Sequence, residues 1–141
     1  MEMLDSVYRL ILKKSPTVPP ETGGIIGSVN GIIRYVYFDL SDGILSKALY
    51  IPNTIAINRQ IDRWNQKGIT FCGMFHSHVK AQETFSQSDI EYIQKIMVAV
   101  SNDIPMLYFM IVLPGEKIIS YKARIIDNKV CISNEEISRI I

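Results

Sequence analysis

The chain has 141 residues, 48% of them hydrophobic and 21% charged, with a formal charge of +1 at neutral pH. That length and composition suit one globular domain spanning residues 1–141 with a core of its own. They leave out several classes of protein: the basic excess used for binding nucleic acid is missing, two cysteines cannot build a disulfide framework, and the longest apolar stretch, Met106 to Leu113, is far short of a membrane span.

The opening MEMLDSVYRLILKKSP has no positive region ahead of an apolar run, so a signal peptide is not expected and a cytoplasmic protein is. Within it, Leu4, Val7, Tyr8, Ile11 and Leu12 recur at helical spacing, and Pro16, Pro19 and Pro20 stop the helix. Glu21 leads into the apolar strand TGGIIGSV, and Asn30-Gly31 after it is the strongest hairpin signal in the chain. The return strand is IIRYVYFDL, and SDG at 41–43 marks the next turn. Asn53 to Lys67 reads as a second helix, with Ile57, Ile61 and Trp64 on one side and Gly68 ending it. ITFCGMFHSH is a strand, and from Ser86 to Val100 a third helix buries Ile90, Ile93, Ile96, Met97 and Val100. Three strands follow, MLYFMIVLP, KIISYKARII and KVCIS, with a turn at Asp127-Asn128 between the last two. The closing NEEISRII fits a short helix or a tail. This order predicts an α+β fold, a mixed β-sheet flanked by helices, rather than a doubly wound parallel sheet.

His76 and His78 are the only histidines and lie two apart at the end of a predicted strand. Side chains alternate along a strand, so both imidazoles project from the same face. Two neutral imidazoles side by side suit zinc, which takes nitrogen, sulfur or carboxylate ligands in a tetrahedron. Ser86 and Asp89, three apart at a helix start, also share a face. Seven residues separate His78 from Ser86, enough to fold the helix start back over the strand end. Asp89 would then be a third ligand, with the fourth position open to water. The plainer alternative is structural: Ser-x-x-Asp before an apolar helix is a common capping arrangement, and two histidines can simply pack.

The spacing His-x-His-x7-Ser-x2-Asp, together with Glu21 in the context PETGGIIG, resembles the JAMM (JAB or MPN+) zinc metalloproteases of bacteria and archaea. The resemblance runs from about Met1 to Ile126, in element order as well as motif, and implies a single MPN/JAB-like domain. It implies that His76, His78 and Asp89 bind one zinc ion, with water as the fourth ligand. Glu21 would be the general base that takes the water's proton and passes it to the leaving amine, and Ser86 would donate to the oxyanion. Val79 stands where the family usually has proline, which implies an altered loop rather than a lost ligand. The expected activity is hydrolysis of a peptide or isopeptide bond at the C-terminal tail of a ubiquitin-like or sulfur-carrier β-grasp protein. The chain is too short for the insertions that accompany polyubiquitin specificity in some members. An extended tail would add as a strand beside the strand leading to His76 or near Leu45–Ile51. No nucleic acid or membrane partner is expected, and the sequence leaves the oligomeric state open.

Other readings compete. A catalytically inactive MPN-type interaction scaffold would usually lack one or more ligands, and none is missing here. A structural metal site would need a fourth protein ligand, and Cys72, on the same strand parity as the histidines, is the one within reach. Serine-protease chemistry at Ser77 or Ser86 fits paired imidazoles poorly. Gly23, Gly24 and Gly27 lie within a strand with no lysine-serine pair after them, so they suit close backbone approach rather than phosphate binding.

Overall fold

The computed structural model describes residues 1–17, 21–39, 52–78 and 82–141. The elements run β1 (Glu2–Leu4), α1 (Asp5–Lys14), β2 (Gly23–Val29), β3 (Ile32–Asp39), α2 (Thr54–Gln66), β4 (Thr70–Ser77), α3 (Gln87–Val100), β5 (Met106–Leu113), β6 (Lys117–Ile126), β7 (Lys129–Glu135) and β8 (Ser138–Ile140). The eight strands form one mixed sheet in the order β7-β6-β5-β4-β2-β3-β1-β8. This is the α+β architecture the element order predicts. Its outermost strands, β7 and β8, are consecutive in the chain, so the sheet curls until its two ends almost meet.

The hairpins follow from turn chemistry. Asn30 and Gly31 adopt φ of 53° and 77°, and Asp127 and Asn128 adopt 50° and 61°. Positive φ at both central residues is the two-residue turn whose twist matches flanking antiparallel strands. Asn53 caps α2 through its side chain, which accepts from the Ala56 N–H at 3.1 Å, and Gly68 at φ 75° lies just beyond the helix.

Apolar side chains pack on both faces of the sheet. On one face α1 lays Val7, Tyr8 and Ile11 over Ile26, Ile33, Phe75, Met110 and Val112. On the other, α2 and α3 cover Ile25, Met74, Leu107 and Phe109 with Ile57, Trp64, Ile93 and Met97. A strand buried on both faces reads as an unbroken apolar run, which is why β5 is MLYFMIVL rather than an alternation. Close packing explains two glycines in β2. A Cβ on Gly24 would lie 2.0 Å from the Tyr37 carbonyl oxygen, and one on Gly27 would lie 2.7 Å from Ile69.

Two expectations change, and three cannot be placed. The C-terminal segment is neither helix nor tail: β8 pairs in parallel with β1, a strand that helical periodicity hid in the first residues. A three-residue strand is too short to show a period, and only its parallel pairing with β3 and β8 defines it. The strand leading to His76 is not an edge that could accept a substrate strand, because β4 is paired with β2 on one side and β5 on the other. The turn at 41–43, the segment 45–51 and Val79 lie outside the described residues.

Candidate active site

The site lies where β4 ends. His76 sits beside Gly23 of β2 and Ile111 of β5, and the backbone continues in register through Ser77 N–H to Thr22 O (2.7 Å) and His78 N–H to Val112 O (2.9 Å). Strand alternation then brings the two imidazoles together, with Nε2 atoms 2.8 Å apart. Ser77, between them, is fully buried, and its hydroxyl accepts from the Thr22 N–H at 2.9 Å. Sequence reasoning weighed Ser77 only as a poor nucleophile. Its observed place is structural: it ties the residue next to Glu21 to the histidine strand. The available signal was a small polar residue pointing to the face opposite two histidines.

The start of α3 supplies the rest. Ser86 is the N-cap, its hydroxyl accepting from the Asp89 N–H at 3.1 Å, while Asp89 Oδ2 accepts from the Ser86 N–H at 3.0 Å. This reciprocal capping box fixes the Asp89 carboxylate at the positive end of the helix. From there Oδ1 lies 3.3 Å from His76 Nε2, and Oδ2 lies 3.3 Å from His78 Nε2. The capping and ligand readings of Ser-x-x-Asp are therefore compatible, since the cap aims the carboxylate at the histidines.

His76, His78 and Asp89 offer one ligand atom each, all within 4.8 Å of one another, and this group could hold a metal ion. Ligands about 2.0–2.1 Å from a tetrahedral zinc are separated by roughly 3.3 Å. Each nitrogen lies at about that distance from one Asp89 oxygen, His76 from Oδ1 and His78 from Oδ2, and the nitrogen pair is tighter at 2.8 Å. His78 Nδ1 lies 2.8 Å from the Gln82 carbonyl, so a neutral His78 donates there and turns the Nε2 lone pair inward. The donor set fits zinc. Cys72 does not join it. The β2–β4 register passes from Ile26 opposite Gly73 to Gly27 opposite Phe71, leaving Cys72 as an extra residue in a bulge. That bulge breaks the expected parity: Cys72 packs on the α1 side with Phe75, while Met74 faces α2 and α3. Burial pushes the Cys72 thiol up to about 12, so it is held as a neutral group whose Sγ lies 3.5 Å from the Ile26 carbonyl.

A loop strapped to β6 holds the other side of the site. The Tyr121 hydroxyl donates to the Glu83 carbonyl at 2.9 Å, and Lys117 pairs with the Glu83 carboxylate. Phe85 packs on Tyr121 with ring centroids 4.7 Å apart and stacks on His76 at 6.3 Å. Sequence reasoning missed Tyr121, Lys117 and Phe85, because nothing in local spacing links β6 to the residues after β4.

Glu21 lines the same cavity as His76, Ser86 and Asp89. Burial raises its pKa above the usual carboxylate value, the nearby histidines partly offset this, and Asp89 adds to it. Burial alone would raise the Asp89 pKa as well, but hydrogen bonds from His76 and His78 more than offset it and hold the carboxyl far below the ordinary range. Burial would lower the His78 pKa, yet its hydrogen bonds to Asp89 and Gln82 leave it raised. The arrangement thus keeps a carboxylate among the imidazoles and a more basic carboxylate beside them, which is suited to proton transfer.

These features define a class: an α+β domain carrying a cluster of two histidines and an aspartate able to hold a metal, with a separate carboxylate on the same cavity. A family model of prokaryotic homologs of the JAB domain matches residues 5–123, and the chain belongs to that family. The family includes hydrolases. The fold is similar to the solution structure of protein DSY2949 from Desulfitobacterium hafniense, with a TM-score of 0.66, 15% identity and coverage of 99% of this chain and 94% of that one. It is also similar to a protein from Salinibacter ruber, with a TM-score of 0.57, 15% identity and coverage of 99% and 92%. No curated protein matches the sequence. No helix among the described residues is long and apolar enough to cross a membrane.

Proposed function

We propose that this protein is a zinc-dependent peptidase that hydrolyses a peptide or isopeptide bond at the C-terminal tail of a ubiquitin-like or sulfur-carrier protein. The observation that carries the reading is the convergence of His76, His78 and Asp89 within 4.8 Å, with Glu21 on the same cavity. Zinc held by those three residues would supply Lewis-acid polarisation and bring the pKa of a water to about 7. Glu21 takes a proton from the attacking water, whose oxygen bonds to the carbonyl carbon. As the C–N bond breaks, Glu21 returns that proton to the departing nitrogen, leaving an amine and a carboxylic acid, whose remaining proton is lost to solvent at neutral pH. The raised pKa of Glu21 favours the first transfer, and its protonated form is still more acidic than the ammonium formed in the second. Ser86 accepts from the Asp89 N–H and keeps its own hydroxyl hydrogen to donate to the carbonyl oxygen as charge develops there.

The first experiment is metal analysis of the purified protein beside the His76→Ala, His78→Ala double variant. About one zinc per chain in the native protein and little in the variant supports the reading. Glu21→Gln is then expected to keep its zinc and lose peptidase activity by about 10²–10⁴-fold. A native protein that takes up no zinc at neutral pH sinks the peptidase reading and leaves an interaction scaffold in its place.

A further inference from the structure

Glu21 stands two residues ahead of β2, beyond the pairing of Gly23 with His76. Counting back from Ile25, which packs on the side of α2 and α3, alternation puts Glu21 on the face that carries Met74 and His76. In an antiparallel pair the next rung would join Thr22 to Ser77 through two backbone bonds. One is present: the Ser77 N–H donates to Thr22 O at 2.7 Å. The other is made to a side chain, the Thr22 N–H donating to Ser77 Oγ at 2.9 Å. Ser77 is itself fully buried, on a strand held between β2 and β5.

We propose that Ser77 is a positioning residue for Glu21, its hydroxyl holding the carboxylate in register with His76 and His78. The inference rests on the peptidase reading above and adds to it how the proton-transfer group is kept in place. The Thr22 N–H, the Glu21 carbonyl and the Glu21 Cα lie in one planar peptide unit. A hydroxyl that fixes the N–H therefore fixes where the Glu21 side chain begins. Because Ser77 stands between the two histidines, the base and two of the metal-capable side chains share one frame. The cluster itself does not need the hydroxyl. His76 is paired on both sides, the His78 N–H donates to Val112 O, and Asp89 is set by its cap. Misplacing a reacting group by about 1 Å can cost about 10²-fold in rate. Loss of the hydroxyl should therefore show in turnover and not in metal binding.

The test uses zinc-loaded Ser77→Ala and Ser77→Thr beside the native protein, with Ser77→Ala also made in the Glu21→Gln background. The substrate is a β-grasp carrier protein extended by a short peptide beyond its C-terminus, the cut being followed by mass spectrometry. Ser77→Ala is expected to keep about one zinc per chain and a native-like KM, while kcat falls by about 10–100-fold. Ser77→Thr, which keeps the hydroxyl, should lie closer to native. In the Glu21→Gln background Ser77→Ala should cost little further, because the group it positions is already lost. Amide exchange reads the contact without activity: the Thr22 N–H should exchange faster in Ser77→Ala than in the native protein. Native kcat in Ser77→Ala, unchanged Thr22 exchange, lost zinc, or an equal fall in kcat in both backgrounds overturns the positioning role and leaves the peptidase reading standing. Native protein that holds its zinc and does not cut the substrate overturns both.

Discussion

Ser86 caps α3 through its hydroxyl and also lines the cavity of the site, so one substitution tests stability and chemistry together. Ser86→Ala is expected to cost about 0.5–2 kcal/mol of stability through the lost cap. It should also cost about 10²–10³ in kcat if the hydroxyl stabilises the oxyanion. Thermal denaturation and steady-state kinetics on the same preparation separate the two, since a cap alone would leave kcat close to native below Tm. Protonation sets a second expectation. A protonated imidazole cannot bind zinc, and in the metal-free protein the His78 pKa lies above its ordinary value of 6.5. Zinc affinity should therefore begin to fall, as pH is lowered, at a higher pH than it would for an ordinary histidine. Competition with a chromophoric chelator across a pH series measures this, and an onset below pH 6.5 would contradict it.

At the level of elements, the site depends on a contact remote in sequence. Tyr121 on β6 holds the Glu83 carbonyl, one residue beyond the Gln82 carbonyl that orients His78. Groups that orient a metal ligand typically contribute 10–100-fold in affinity. Tyr121→Phe keeps the ring against Phe85 and removes the hydroxyl, so zinc binding is expected to weaken by roughly 10-fold with little change in Tm. Zinc affinity equal to native would show that the strap does not position the site. The elements themselves were unevenly legible. Helices with caps and clear periods, such as α2 after Asn53, follow from sequence, as do the two hairpins built on residues that tolerate positive φ. The β1–β8 pairing did not, because it joins two three-residue strands from opposite ends of the chain. The position of Cys72 was misread for a related reason: a bulge is set by strand pairing, and alternation from sequence assumes there is none.

In the whole molecule, the two apolar layers are built from hydrophobic side chains on α1, α2, α3 and the sheet, so the fold should survive metal removal. Chelation is expected to abolish peptidase activity while preserving the circular dichroism spectrum, and excess zinc should raise Tm by mass action. Unfolding on chelation would instead indicate a structural metal. The sequence by itself determined the α+β class, the helices, the hairpins and the identity of the residues available as ligands, because each depends on local periodicity, turn chemistry or side-chain type. Tertiary structure alone decided that β4 is interior, that Cys72 faces away from the site, that Tyr121 supports the loop, and that an apolar cavity opens beside Glu21. The physical reason is separation along the chain. These features arise where strands far apart in sequence pair and pack, and no local spacing encodes which of them become neighbours.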